Sequence, residues 1–433
     1  MTSLPEAGAS VARTGALVSR TTPLPVPVAQ SLLALLPDRP AADLISWVRR
    51  GEGLVGWGRA AEHTAFGTSR FAELEQWWVD QRAGAVVRDE VRRPGTGPVA
   101  FGSVAYAAGS PAGATLLVPS VLIGRRGDDA WVTVTTVGNT VPYAEGEALW
   151  TPVPPARRPA DVTFADGAQS CAQWAGSVAQ AVDLITAGQI DKVVLARDLH
   201  VTTSDAIDAR WLLQRLCEDY ENTWVFAVDG LIGASPEMLV RVEKGLVTSR
   251  VLAGTIRRSG DDEHDLALAG SLARSSKDLE EHEYAVRSVA DALRPHCSSM
   301  NVPESPFVLH LPNVMHLATD VTGVLSDSTT SLALAESLHP SAAVCGTPTA
   351  AADEVITSLE RMDRARYAGP VGWIDATGDG EWAIALRCGS VDPVEPSRMR
   401  LFAGCGIVAG SDPDAEVAES DAKLVPMRDA LTS

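Results

Sequence analysis

The chain is predicted to be an α+β protein in which mixed, mostly antiparallel strands carry helices on their outside. Three observations predict it. Short β-branched runs punctuated by glycine and aspartate turns fill the upstream half, helical spacing of apolar residues alternates irregularly with further strands downstream, and the strict strand-helix alternation of a parallel sheet is missing. The 433 residues are 45% hydrophobic and 21% charged, an ordinary globular composition with material for a sizeable core. No run approaches the ~18 apolar residues that a membrane span needs.

Residues 1–30, opening MTSLPEAGASVARTGALVSRTTPLPVP, carry arginines but no continuous apolar stretch or cleavage pattern. They are expected to form a loose, flexible segment, and cytoplasm is the expected compartment. Residues 31–160 are expected to form a sheet-rich subdomain. LVGWGRA is a tryptophan-bearing segment, PVAFGSVAYAA, ATLLVPSVLIGRR and WVTVTTV read as short β-like runs, and RDEVRRPGTGP as an exposed loop. The proline-rich TPVPPARRPADVTFAD, residues 151–166, marks a junction before a catalytic region over 165–433.

Within that region Trp174, Val178, Ala181, Val182 and Ile185 recur at helical spacing until Gly188, and IDKVVLARDLHV is β-branched enough for a strand. A helix over AIDARWLLQRLCEDY, strands over NTWVFAVDG and LIGASPEMLVRV, and a long helical region from Asp261 to about His296 follow. GPVGWID and WAIALRCGSV are joined by ATGDGE, whose glycines suit a tight hairpin, and MRLFAGCGIV adds one more strand. Asp412-Pro413 opens a last helix, because an N-cap carboxylate accepts otherwise unpaired amide hydrogens and proline suits the first turn.

A formal net charge of −19 repels phosphate backbones, and no basic stripe with interleaved aromatics is present, so nucleic acid is excluded as a partner. The same field repels a small anion, which local lysines and arginines must then capture at short range. Cys171, Cys217, Cys297, Cys345, Cys388 and Cys405 lie far apart without a CxxC. Neither a zinc site nor a disulfide framework is expected, and the six read as buried thiols.

Several charged residues stand in unusual company. Lys192 interrupts the apolar strand IDKVVLAR, where it either snorkels at an edge or, desolvated, serves as a base. Glu237, just before an apolar run in GASPEMLV, is either a charge at a strand start or a partly buried acid. Arg387 in IALRCGSV suits bidentate capture of a carboxylate. Glu280, Glu281, His282 and Glu283 sit together on one helix, without the HExxH of a zinc enzyme. On the last helix Glu416, Glu419 and Lys423 fall at i, i+3 and i+7, while Asp414 and Asp421 point elsewhere. That stripe is either a solvated face or a site for Mg²⁺, which takes one or two protein carboxylates and completes its shell with water and an anionic ligand. Gly254, Gly404 and Gly406 could let backbone amides approach an anion.

Taken in order, KVVLAR, GASPEMLV, VLAGT, KDLEEH, MHLATDVTG, LHPSAAVCGTP, YAGPVGW, ALRC and AGCGIVAGSDPDAEVAE with its closing lysine resemble the chorismate-utilising enzymes. This family includes isochorismate, salicylate, anthranilate and aminodeoxychorismate synthases, and the resemblance runs from about Gly167 to Ala430. It implies a sandwich-like core of large sheets with helices outside, chorismate as substrate, Mg²⁺ as cofactor, and a monomer or weak homo-oligomer.

Carried onto this chain, the resemblance implies that Glu281 and Glu419 bind Mg²⁺ with the ring carboxylate of chorismate, Glu416 supporting them and Lys423 helping to seat the carboxylate. Arg387 and the amides near Gly404 and Gly406 would hold the carboxylate of the enolpyruvyl arm. Gly254 and Thr255 would line the pocket, and His316 and Ala343 would lie against the ring and side chain. Lys192 would activate water for attack at ring C2, and Glu237 would protonate the departing C4 hydroxyl from the opposite side. The product would be isochorismate, formed reversibly and feeding menaquinone or siderophore synthesis.

Ammonia-using members lack the lysine, and Ala253 stands where the aminodeoxychorismate branch has one. A salicylate synthase, which goes on to eliminate pyruvate, shares the acid, base and metal ligands, but Ala343 and Val344 favour the simpler synthase. A non-catalytic chorismate-binding protein would need no acid and base. Cys405, Val417 and Ser341 depart from the family pattern and bear on packing and substrate fit.

Overall fold

The computed structural model describes residues 15–24, 31–138 and 153–433. Among these, strands gather into a 13-stranded and a 10-stranded sheet. Pairing is antiparallel except where Leu17–Pro23 runs parallel to Val86–Asp89. No described helix is long and apolar enough to cross a membrane.

Alternation along single strands shows how the layers stack. In Trp224–Val228, Trp224, Phe226 and Val228 turn into the core between the sheets, while Val225 and Ala227 face outward. That outer face is covered by Leu212, Leu213 and Leu216 of helix Ala209–Asp219 and by Leu424, Met427 and Leu431 of the terminal helix Pro413–Thr432. The expected sandwich-like core with helices outside is the observed architecture.

Two expectations about the upstream half give way. Leu17–Pro23, inside the stretch read as loose, is a mostly buried strand tied to Asp129–Val137, while residues 1–14 and 25–30 lie outside the described residues. The expected boundary near residue 160 is crossed by both sheets. Leu44–Arg49 pairs with Trp224–Val228 in one, and Val99–Val104 with Pro370–Asp375 in the other. Composition marks the proline-rich stretch, but long-range pairing decides what forms a unit.

Downstream, the last helix starts as expected, with Asp412 accepting from the Ala415 amide and Pro413 at the first position. The hairpin between Pro370–Asp375 and Gly380–Ile384 turns at Gly378, whose φ is +94°. The helical region expected from Asp261 is two helices, Asp262–Leu272 and Ser276–Leu293, because Ser275 caps the second through the Asp278 amide. All six cysteines are free, but only Cys345, Cys388 and Cys405 are fully buried.

The most consequential difference concerns two runs read as continuous strands. LIGASPEMLVRV is split into Leu231–Ser235 of the larger sheet and Met238–Glu243 of the smaller, with Pro236 unable to donate to a ladder at the break. WAIALRCGSV returns the other way, from Gly380–Ile384 to Cys388–Val391, through Arg387 at φ +49°. The two crossings run side by side. The Ser235 hydroxyl donates to Ile384 O at 2.6 Å, Ile384 N to Glu237 O at 3.1 Å and Ala234 N to Arg387 O at 3.2 Å. Glu237 and Arg387 are thereby fixed where the sheets exchange strands.

Candidate active site

A third irregularity faces these crossings. The ladder between Leu246–Arg257 and Val314–Leu325 slips at Gly254, whose φ is +77°, so that Thr255 comes to lie opposite His316. His282, in the EEHE run, supports the bulge: its Nδ1 sits 3.2 Å from Ala253 O and its Nε2 2.7 Å from Thr319 Oγ1. That leaves Glu281 half-buried and facing inward, while Glu280 and Glu283 are exposed.

Together the bulge, the crossings and helices Ser276–Leu293 and Pro413–Thr432 enclose a cavity. Its walls include Glu237, Gly254, Thr255, Glu281, His316, Ala343, Arg387, Gly404, Gly406, Glu419 and Lys423. A more open depression lined by Trp47, Arg125, Arg241 and Glu381 lies elsewhere. Arg241 there is committed to Glu243 and Glu381, Arg125 to the Gly51 carbonyl, and Arg49 and Arg50 to Asn222.

Lys192 and Glu416 do not form the wall itself. Lys192 is fully enclosed behind Glu281, its Nζ 3.1 Å from that carboxylate. Glu416 is buried against Cys405 and Glu419, and ligand atoms of these three lie within 4.8 Å of one another. Glu281 stands outside that trio. The stripe on the last helix is not a solvated face: Lys423 Nζ bonds Glu419 at 2.6 Å and Gly404 O at 2.9 Å, while Asp421 turns away to Arg197.

Burial sets the protonation states. It pushes the Glu237 carboxyl up to about 7, against the opposing pull of the Leu252 amide and of Lys192. It holds His316 well below the ordinary imidazole range, with Arg387 and Lys423 adding to the effect. The Cys405 thiol is raised well above its usual value by burial, so it offers no thiolate. Burial also works against the charge on Lys423, yet Glu419 beside it holds that ammonium above its usual range.

Backbone donors reach the cavity as well. Val194 N bonds Cys345 O, and Ala196 N bonds the Glu360 carboxylate at 2.7 Å, both on the side of Lys192–Thr202 that faces away from Arg398–Ile407. Their register partners Gly406 and Gly404 consequently also turn their peptide groups outward from the ladder, as the Lys423 contact with Gly404 O shows. Arg387 adds a buried Nη1 with no hydrogen-bond partner among the described residues.

Residues not anticipated from sequence complete the wall. Tyr367 and Phe402 stack with centroids 5.2 Å apart. Arg364, paired with Glu360, holds the carbonyls of Val344 and Val194 at 2.8 and 2.7 Å. Tyr367 lies in YAGPVGW and could have been singled out there. Nothing in SLERMDRAR marks Arg364, which reads as a helix end.

Comparison with known proteins identifies the surroundings of this cavity. Residues 13–432 match the family described as chorismate binding enzyme. The chain is 41% identical over 270 residues to the isochorismate synthase DhbC of Bacillus subtilis, covering 60% of this chain and 67% of that protein. It is 33% identical over 410 residues to the salicylate biosynthesis isochorismate synthase of Pseudomonas aeruginosa, covering 89% and 84%. Among solved structures, DhbC from Bacillus anthracis superposes with a TM-score of 0.75 at 32% identity, over 92% of this chain and 98% of that one. The menaquinone-specific isochorismate synthase MenF of Escherichia coli shares the fold, with a TM-score of 0.79 at 24% identity over 98% and 96%.

Proposed function

This chain belongs to the chorismate-binding enzyme family, and from that premise we propose that it is an isochorismate synthase, moving the ring hydroxyl of chorismate from C4 to C2. The observation that carries the reading is one cavity whose wall holds a buried acid near neutral pKa, Glu237, and behind whose Glu281 lies a buried amine, Lys192. A water oxygen forms a bond at C2 as the ring double bonds shift and the C4–O bond breaks. After Lys192 has passed its ammonium proton to solvent, the free amine takes the proton that the attacking water loses, and Glu237 protonates the departing hydroxyl. One water enters and one leaves, so the reaction is an isomerisation.

Capture of a dianion needs positive charge, and the site supplies it unevenly. While Lys192 is still an ammonium, it, Lys423 and Arg387 are balanced by Glu281, Glu416 and Glu419, with Glu237 in its acid form and His316 neutral. Adding two substrate carboxylates leaves a deficit that one divalent cation removes. The donors gathered on the last helix suit a hard ion, since Glu416 and Glu419 offer carboxylate oxygen and Cys405 stays a thiol. Glu419 and Glu281, with Glu416 behind them, would hold Mg²⁺, and the ion would supply electrostatic stabilisation of the substrate carboxylate. Arg387 Nη1 and the outward peptide groups of Gly404 and Gly406 would take the second carboxylate.

The test is product analysis after incubation with chorismate and Mg²⁺. Isochorismate without pyruvate or salicylate is expected. Pyruvate release would establish a salicylate synthase, and tight binding without turnover would overturn the enzymatic reading.

A further inference from the structure

The arginine that faces the cavity does not set its own direction. Arg387 leaves the backbone at a left-handed residue between two sheets, and its Nη2 lies 3.2 Å from His316 Nε2. A guanidinium has only donors, so Nε2 must be the acceptor, and the single proton of a neutral ring must sit on Nδ1. Nδ1 lies 3.0 Å from Thr255 Oγ1, which can accept that proton's hydrogen bond. The ring is buried and Thr255 is fixed by the slip at Gly254, so neither partner is free to turn away. Burial and the neighbouring cations keep the imidazole neutral.

We propose that His316 is a positioning residue: as its Nδ1–H tautomer it accepts from Arg387 Nη2 and so leaves the unpartnered Nη1 for a carboxylate of the substrate. The role rests on reading the cavity as the chorismate site. It differs from a contact with the substrate ring, because the imidazole acts here through the guanidinium. The other tautomer, or an imidazolium, would set donor against donor and turn Arg387 away.

Steady-state kinetics of His316→Leu, His316→Gln, Arg387→Lys and the His316→Leu/Arg387→Lys pair test it, with wild type as the control. Loss of a hydrogen bond to a charged group predicts that His316→Leu raises KM about tenfold or more with little change in kcat. Gln, which can offer a carbonyl to Arg387, should recover most of that loss. The pair should be no worse than Arg387→Lys alone, since both changes remove one function. Losses that multiply, or a fall in kcat at unchanged KM, overturn the proposal. NMR of isotope-labelled histidine should show in the wild type, beside the Nδ1–H ring of His282 that faces Ala253 O, a further Nδ1–H imidazole that vanishes in His316→Gln. An Nε2–H ring there overturns the proposal even if His316→Leu does not fold. A wild type that fails to turn over chorismate sinks the functional reading instead, and the spectrum still decides the tautomer.

Discussion

Lys192 Nζ lies 3.1 Å from Glu281 Oε1, so the residue we propose to take a proton from water is held by a residue we propose as a metal ligand. The lysine is fully enclosed, at the first position of strand Lys192–Thr202, and the glutamate reaches it from helix Ser276–Leu293. A divalent cation and the ammonium would compete for one carboxylate. The proposed base and the proposed cation site are therefore coupled by direct contact.

That contact gives a prediction for stability. Glu281→Ala leaves a buried ammonium without its counter-charge, which costs about 3 kcal/mol or more. Adding Lys192→Met should restore much of the loss. Urea denaturation of the two single variants and the double variant measures both effects, and additive losses would contradict the pairing.

Removing either proton carrier should leave binding and abolish turnover. Lys192→Ala and Glu237→Gln are each expected to lower kcat by ~10²- to 10⁴-fold, with chorismate still bound in calorimetric titration. For Glu237 the acid form is required, so kcat/KM of the parent should fall as pH rises through about 7. Near-normal rates in either variant would remove the residue from the mechanism.

The same carboxyl ties stability to pH. Burial raises it from an ordinary 4.5 to about 7, so between these values the unfolded chain has lost a proton that the folded chain keeps. Folding stability contributed by this group is full below 4.5 and declines as pH rises to about 7. Glu237→Gln, which has no proton to lose and keeps an acceptor for Leu252 N, should match the parent at low pH. Above pH 7 it should exceed the parent by about 3 kcal/mol. Chemical denaturation at both ends of the range reads this out.

Gly406 has no room for a side chain. A Cβ there would collide with Glu281 Oε1 and lie 3.1 Å from Lys192 Cε. Gly406→Ala should push the Lys192–Glu281 pair apart and lower turnover by about 10²-fold or more, on the scale of losing one positioned base. Gly410→Ala, where nothing approaches the added carbon, should leave the rate within about twofold and serves as the control for helix and strand integrity.

Dependence on Mg²⁺ should track the last helix. Glu419→Ala removes a ligand while Lys423 keeps its bond to Gly404 O. The Mg²⁺ concentration for half-maximal rate is expected to rise about tenfold or more. Titration of activity against added metal measures it, and an unchanged requirement would place the ion elsewhere.

The sequence by itself determined the fold class, most downstream elements, the terminal helix from its Asp-Pro start, and half of the residues that line the cavity. These were legible because periodicity and capping act over a few residues, and because ordered motifs carry a family's chemistry with them. It did not reveal that LIGASPEMLVRV and WAIALRCGSV each change sheet. Pairing partners there lie more than a hundred residues away, as Val240 with Trp382 and Gly233 with Cys388 do. Nor did it reveal that Leu17–Pro23 joins a sheet, that Lys192 sits behind Glu281, or that Arg364 braces the wall. Only the tertiary structure decided those, because burial, and with it the charge each side chain can hold, depends on what distant strands bring alongside it.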